Sequence, residues 1–272
     1  MADLHIALWQ TPYVASSPEA LQRLETAGAQ AHAQGADLIV SPEMSLTGYA
    51  IGAEAIADRA EPADGPLAQA VAAIAQRLGI GIVYGYPEHN PTGKPFNAVQ
   101  AVGPDGTRLM NYRKTHLYGE LDRDQFSPGD AAPAVFGWQG WRLGLLICYD
   151  VEFPEAVRLL ALQGADAVLV PTANMTGFEE VPRLLMPARA CENRLFIAYA
   201  NACGAEGALH YGGLSTVAGP DGQIMSVSDT QSSLCCVRLD QPSLAQARVG
   251  SPLNARRSDL YGPLTGSHAG QA

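Results

Sequence analysis

The chain has 272 residues, of which 47% are apolar and 16% charged, and 27 acidic against 17 basic side chains leave a formal charge of −10. This composition suits one large buried core and excludes a disordered chain. The negative balance argues against nucleic acid or an anionic membrane as a partner and mildly favours a neutral or cationic ligand.

Leu4–Trp9 is a short apolar run that reads as a buried first strand; the residues before it carry no basic n-region, so a signal peptide is not expected. No segment reaches the roughly 18 to 20 apolar residues of a membrane span. Ser17-Pro18-Glu19 supplies an N-cap, a first-turn proline and an early acid for a helix over Leu21 to Ala33, stopped by Gly35. Asp37–Ser41 is a second strand, closed by Pro42. A helix from about Pro66 to Leu78 leads into strand Ile80–Tyr84, and then the pattern turns to a hairpin, Phe96–Val102 and Thr107–Tyr112, around Gly103-Pro-Asp-Gly106.

The second half repeats this order: strand Trp141–Ile147, helix Pro154–Leu162, strand Asp166–Val170, a helix from about Val181 to Asn193, strand Leu195–Asn201, and a second hairpin around Gly219-Pro-Asp-Gly222. Asp37-Leu-Ile-Val-Ser-Pro-Glu43 and Asp166-Ala-Val-Leu-Val-Pro-Thr172 correspond in position and character. Paired helices with continuously apolar strands between them predict helices on the outer faces of stacked sheets, a four-layer α-β-β-α sandwich in one domain over 1–272. A doubly wound Rossmann fold is the structural rival. The polar tail beyond about residue 250 reads either as a loose end or as an arm on a partner subunit.

Five cysteines, at 148, 191, 203, 235 and 236, are odd in number and form no CxxC pair. Zinc ribbons and secreted disulfide scaffolds therefore fit poorly, and a reducing cytoplasm fits best. Gly79-Ile-Gly81-Ile-Val-Tyr-Gly85 has its glycines running from helix into strand, the wrong order for a dinucleotide loop. Arg189, Glu192 and Arg194 read as ion pairs around a helix end, and His116 as a packed or hydrogen-bonded neighbour of Lys114.

Reactive groups in layered α/β folds collect at the carboxyl ends of strands. Glu43, Lys114 and Cys148 each follow a strand there. Each has a bland reading alone: a solvated acid, a surface lysine, a core thiol. Together they form an acid, a cation and a thiol, which is what amide cleavage by a cysteine requires. A free thiol with a pKa near 8.5 needs a base or cation beside it, and the developing oxyanion needs positive charge and N–H donors.

Ser41-Pro-Glu43-Met-Ser-Leu-Thr-Gly-Tyr49, Asn111-Tyr-Arg-Lys114-Thr-His-Leu117 and Leu146-Ile-Cys148-Tyr-Asp-Val-Glu-Phe-Pro-Glu155 resemble the three signature blocks of the nitrilase superfamily. The resemblance covers nearly the whole chain, to about Cys236. It implies the α-β-β-α sandwich, a Glu43–Lys114–Cys148 triad working without metal or other cofactor, a thioester intermediate, and an oxyanion held by Lys114 and the N–H of Tyr149. It also implies a homodimer or higher homo-oligomer. A fourth site residue follows the lysine in many members: a gapless count favours Asp122, side-chain type and length favour Glu120. Glu120 is the expected residue, with Asp122 its close rival.

Nitrilases proper usually have Trp-Glu after the cysteine, whereas Tyr149-Asp-Val-Glu-Phe-Pro is similar to the amidase branches. Lys114–Arg123 and Val170–Thr176 resemble the 5-aminopentanamidase and stereoselective-amidase branches, which implies a small primary amide as substrate, with 5-aminopentanamide in lysine breakdown as one candidate. A cationic substrate end would want Glu120, Asp122 or Glu152 nearby. Thr172, Asn174 and Met175 sit where they could line the pocket, and Tyr49, Tyr118 and Tyr149 could add walls. The alternatives are an N-carbamoyl-amine hydrolase, a nitrile hydrolase, and a catalytically silent binding module on the same fold.

Overall fold

The computed structural model describes residues 2–265. In chain order it contains β1 Leu4–Gln10, α1 Ser17–Ala33, β2 Leu38–Val40, α2 Ala53–Asp58, α3 Pro66–Leu78, β3 Gly81–Glu88, β4 Phe96–Val102, β5 Arg108–Arg113 and α4 Gly119–Gln125. There follow β6 Val135–Trp138, β7 Trp141–Leu145, α5 Pro154–Leu162, β8 Ala167–Thr172, α6 Met186–Asn193, β9 Phe196–Asn201, β10 Cys203–Glu206 and β11 Leu209–Gly212. The chain closes with β12 Thr216–Ala218, β13 Ile224–Val227, β14 Ser233–Leu239, α7 Gln241–Arg248 and α8 Gly262–Thr265.

Two six-stranded sheets run in the orders β14-β1-β2-β3-β4-β5 and β6-β7-β8-β9-β12-β13, and β10-β11 form a separate hairpin. In both, three parallel strands are flanked by one antiparallel strand on one side and an antiparallel pair on the other. Residue alternation sorts the faces. Leu4, Ile6, Leu8, Leu38, Val40 and Val83 join Leu143, Leu145 and Val170 of the second sheet in one buried cluster, so the two sheets stack face to face. Ala7, Trp9, Ile39, Ile82 and Tyr84 turn the other way, onto Leu24 of α1 and Val71 and Ile74 of α3. Val157, Leu160, Met186 and Ala190 cover the far face of the second sheet from α5 and α6. The result is the expected four-layer α-β-β-α sandwich, not a doubly wound single sheet. Each fully buried Leu or Ile in these layers is worth about 1.5–3 kcal/mol.

The two matching Asp-led segments make the same bonds. Asp37 takes the N–H of His5 at 2.9 Å, and its C=O accepts from Gly81 at 2.9 Å; Asp166 takes the N–H of Arg142 at 2.8 Å, and its C=O accepts from Phe196 at 2.9 Å. Each aspartate thereby ties three parallel strands at their starting ends.

Several local expectations shift. Helix α1 begins at Ser17 rather than Leu21, because Ser16 is the cap whose hydroxyl accepts the Glu19 N–H. The Val181–Asn193 helix opens with one π turn, Val181–Leu185, before α6. Strands β6 and β14, the hairpin β10–β11 and helices α2, α4 and α7 were not expected. Beyond residue 250 the described part of the tail forms 3-10 turns at Pro252–Ala255 and Ser258–Leu260 before α8. Gly79 ends α3 in a left-handed conformation (φ 66°), and at Gly85 a Cβ would come within 2.4 Å of the Met44 nitrogen. Those glycines serve a helix end and a close backbone approach, which accounts for them without any phosphate loop.

Candidate active site

Three chain segments meet at the carboxyl ends of β2, β5 and β7. Strand β2 stops at Val40; Pro42 and the left-handed Met44 (φ 50°) turn the chain so that Glu43 lies inside. Its backbone N–H donates to the C=O of Thr172 at the end of β8 (3.3 Å), and Tyr13 donates to its C=O at 2.7 Å. Lys114 follows β5 directly, its N–H held by the C=O of Asn97 (2.8 Å). Cys148 sits on a sharp elbow after β7, at φ 45°, where the chain enters a 3-10 turn, Cys148–Glu152. That conformation costs a non-glycine residue about 1–3 kcal/mol, so the surroundings must impose it.

Asp150 is the group that imposes it. Buried completely, it accepts the N–H of Ile147 at 3.2 Å and returns its own N–H to the Ile147 C=O at 3.0 Å. The same carboxylate takes the Tyr112 hydroxyl (3.0 Å), the Thr115 hydroxyl (3.0 Å) and the His116 N–H (2.9 Å). One aspartate therefore clamps the Cys148 elbow to the segment that carries Lys114. His116 Nδ1 lies 2.7 Å from it, and the His116 ring stacks on Phe153 at 3.9 Å. His116 is thus a hydrogen-bonded neighbour, as expected. Arg189 pairs with Glu192 at 3.1 Å and donates to the C=O groups of Val151 and Glu152, bracing the same turn. Arg194 departs from the expectation: it donates to the Pro220 C=O and not to a carboxylate.

The charges form a dry cluster. Lys114 Nζ is 2.8 Å from Glu43 Oε1 and 2.7 Å from Asp122 Oδ2, and all three side chains have no solvent exposure. Asp122 is fixed in turn by the Tyr49 hydroxyl (2.7 Å) and the Tyr118 N–H (2.8 Å). Glu120 is not in the cluster. Its side chain is 80% exposed and pairs with Arg123, and the buried neighbour of Lys114 is the rival, Asp122. The reason is helical phase: Asp122 lies four residues after Tyr118 at the start of α4 and turns back onto that first turn, whereas Glu120 projects outward.

An ammonium has three donors, and two of those on Lys114 are committed. The third is available for an oxyanion. Glu43 is equally specific: Oε1 accepts from Lys114 and from Asn97 Nδ2 (2.6 Å), while Oε2 is buried with no hydrogen-bond partner among the described residues. Burial raises the pKa of Glu43, against the opposing pull of Lys114. The Cys148 thiol is pushed well up, by burial and then by Glu43, with Lys114 and the Ala173 N–H opposing. Burial disfavours the charge on Lys114, but Glu43 and Asp122 outweigh it and hold the lysine above its usual range. The three groups titrate as one set. A thiol raised in this way rests protonated, so it can serve as a nucleophile only with proton transfer to a base.

The remaining candidates divide. Tyr149, half-buried, meets Tyr118 edge-on at 5.4 Å and Phe153 at 5.0 Å, and Tyr118 meets Phe178 at 6.2 Å, giving an aromatic run from the elbow outward. Glu152 is held above the ordinary glutamate range by burial and by the Glu180 carboxylate, against Lys114 and Arg189. Thr172 is fully buried, its hydroxyl turned to the Val170 C=O, so it supports the floor and not a wall. Asn174 donates to the Phe178 C=O and shapes its own loop, and Met175 packs partly buried against the group containing Met44, Tyr49 and Tyr211. Sequence reasoning missed Asn97, Asp150 and Tyr13. A polar residue interrupting an apolar strand was the available signal for Asn97. Among the described residues, no group of three or more His, Cys, Asp or Glu side chains converges to hold a metal ion, and no helix is long and apolar enough to cross a membrane.

Comparison with known proteins agrees with this geometry. Residues 5–249 match the carbon–nitrogen hydrolase family. A hydrolase encoded in the pqqF 5' region of Pseudomonas protegens is 45% identical over 267 residues, covering 96% of this chain and 92% of that protein. An (R)-stereoselective amidase of a Pseudomonas species is 38% identical, with 84% and 82% covered. Among solved structures, an amidase from a Nesterenkonia species superposes with a TM-score of 0.84 at 34% identity, covering 96% of each chain; one structure of that amidase shows acrylamide added at its active-site cysteine. On sequence and on fold alike, the chain belongs to the carbon–nitrogen hydrolase family, as an amidase of the nitrilase superfamily.

Proposed function

We propose that this amidase hydrolyses a small linear primary amide to carboxylate and ammonia through a thioester on Cys148, with 5-aminopentanamide as the first candidate substrate. The observation that carries the chemistry is the uncommitted Glu43 Oε2 in a cluster where Lys114 already occupies Oε1. In the first step Glu43 accepts the thiol proton as Sγ attacks the carbonyl carbon. The oxyanion is stabilised by the third Lys114 donor and by the N–H of Tyr149. Glu43 then returns the proton to the leaving nitrogen, ammonia departs, and the thioester remains. Water attacks next with Glu43 as base; the tetrahedral intermediate collapses, the carboxylic acid leaves, and the proton goes back to sulfur. Asp122 keeps Lys114 charged and aimed and takes no proton.

A cationic substrate end is supported by Glu152, a partly buried carboxylate on the same turn as Tyr149 at the start of the aromatic run. A homo-oligomer is supported by Leu159 and Leu162 on α5 and Leu184 beside α6, all exposed on one outer layer. A cytoplasmic site fits five cysteines that are all free.

The test is ammonia release from 5-aminopentanamide against hexanamide, a carbamoyl-amine and pentanenitrile, with Cys148→Ala as control. Preference for the amino-amide, lost in the alanine variant, supports both chemistry and substrate. Preference for hexanamide keeps the amidase and removes the cationic pocket. Turnover of only the carbamoyl-amine or the nitrile overturns the linear-amide reading.

A further inference from the structure

Asn97 enters the cluster from β4, almost completely buried. Its C=O accepts the Lys114 N–H at 2.8 Å, and its side-chain Nδ2 donates to Glu43 Oε1 at 2.6 Å. One residue therefore sets the backbone of the cation and the carboxylate of the base. Its own Oδ1 is buried without a donor. A buried amide kept only to join strands would use both ends, because an unmet polar atom in the interior is unfavourable. Here only the end facing Glu43 is used.

The last torsion of a glutamate is soft and roughly two-fold. With Lys114 alone on it, the carboxylate could rotate and exchange its oxygens, sending the lysine-bound one towards the sulfur. Two donors converging on Oε1 remove that freedom. We infer that Asn97 is a positioning residue that assigns the two oxygens of Glu43, reserving Oε2 as the base for Cys148 and for the water. The same bond favours the ionised carboxylate and so opposes the effect of burial. Glu43 is also faced by Lys114, Asp122, Cys148, Tyr13, Tyr49, Tyr199 and Tyr211, none of which a substitution at Asn97 removes.

The inference rests on Glu43 acting as the base, and two readouts separate its failure from failure of the substrate assignment. The first is the pH profile of kcat/KM on 5-aminopentanamide. The second is the pH profile of Cys148 alkylation by iodoacetamide, followed by mass of the Cys148 peptide, which needs no turnover. Asn97→Leu should lower kcat/KM about 10- to 100-fold, and the acid limb of both profiles should move to higher pH. Asn97→Gln, which keeps an amide donor, should bring the limb back towards wild type. If the leucine variant melts at assay temperature, Asn97→Ser, too short to reach Oε1, replaces it. A loss of rate with the acid limb unmoved in both profiles would show a structural role and overturn the inference, as would an unchanged rate. Wild type that alkylates with a pH-dependent rate but turns over no amide refutes the substrate reading, while the alkylation profiles still decide Asn97.

Discussion

The two halves share a topology but not a chemistry. Their Asp-led segments align Asp37 with Asp166 and, through the matching bonds, His5 with Arg142; the Gly-Pro-Asp-Gly turns align Gly103 with Gly219. Counting from those anchors, Glu43 corresponds to Thr172, Cys148 to Thr11 and Lys114 to Thr230. Each of the three candidate residues thus has a threonine as its counterpart, and the first pair is in contact, since the Glu43 N–H donates to the Thr172 C=O. Two groups come from the first half and one from the second. The site exists only where the sheets face each other, and a half folded alone would carry no complete set.

Substitutions can break that asymmetry. Cys148→Ala should abolish amide turnover, a fall of at least about 10,000-fold, while Thr11→Ser should leave kcat close to wild type; initial rates by ammonia release compare them. Glu43→Gln should cost about 100- to 10,000-fold, against little effect of Thr230→Ala, whose side chain is exposed. At the fourth position Asp122→Asn should lower kcat/KM about 10- to 100-fold by leaving Lys114 less well held, and Glu120→Gln should change nothing. The reverse result would return the role to Glu120.

The pH profile sharpens the same contrast. In the proposed mechanism Glu43 must be ionised to act as base, and its pKa is raised, so the acid limb of kcat/KM should lie above the ordinary glutamate range. The raised thiol and lysine put no fall on the alkaline side before the usual lysine range. An acid limb at an ordinary carboxylate value would sink this account. Asp150→Asn should act on stability, with a loss of about 1–3 kcal/mol in denaturant unfolding and slower alkylation of Cys148, because the elbow loses its clamp.

What could be read in the sequence follows from how locally each feature is determined. The inner strands are buried on both faces, so Leu38–Val40 and Ala167–Val170 show as unbroken apolar runs. Glu43 and Cys148 stand out as candidates because each follows an apolar strand, whereas Lys114 follows the mixed strand β5, Arg108–Arg113, and stands out through its residue type and its place at a strand end. Edge strands leave no comparable mark: β6 is four residues long with Gly137 inside, and β14 has polar Ser233 and Arg238 and only partial burial. The choice between Glu120 and Asp122 turned on the phase of α4, a seven-residue helix too short to show a period. Asp150 acts through a fold of the chain around it, with partners 34 to 38 residues away, and no local pattern announces that.

The pairing of β14 with β1 also has a consequence for how the molecule is made. Leu4 lies opposite Leu239 and Gln10 opposite Ser233 in an unbroken antiparallel register, with the Gln10 amide donating to the C=O groups of Asp229 and Gln231. On a ribosome, β1 waits for more than two hundred further residues before its outer edge is covered. Through that interval the nascent chain presents a row of unpaired N–H and C=O groups along a largely apolar strand, the surface that invites misassociation. Completion of the first sheet is then tied to synthesis of β14, and a chain terminated before Ser233 would be left with an open sheet edge, a target for chaperones rather than a catalyst.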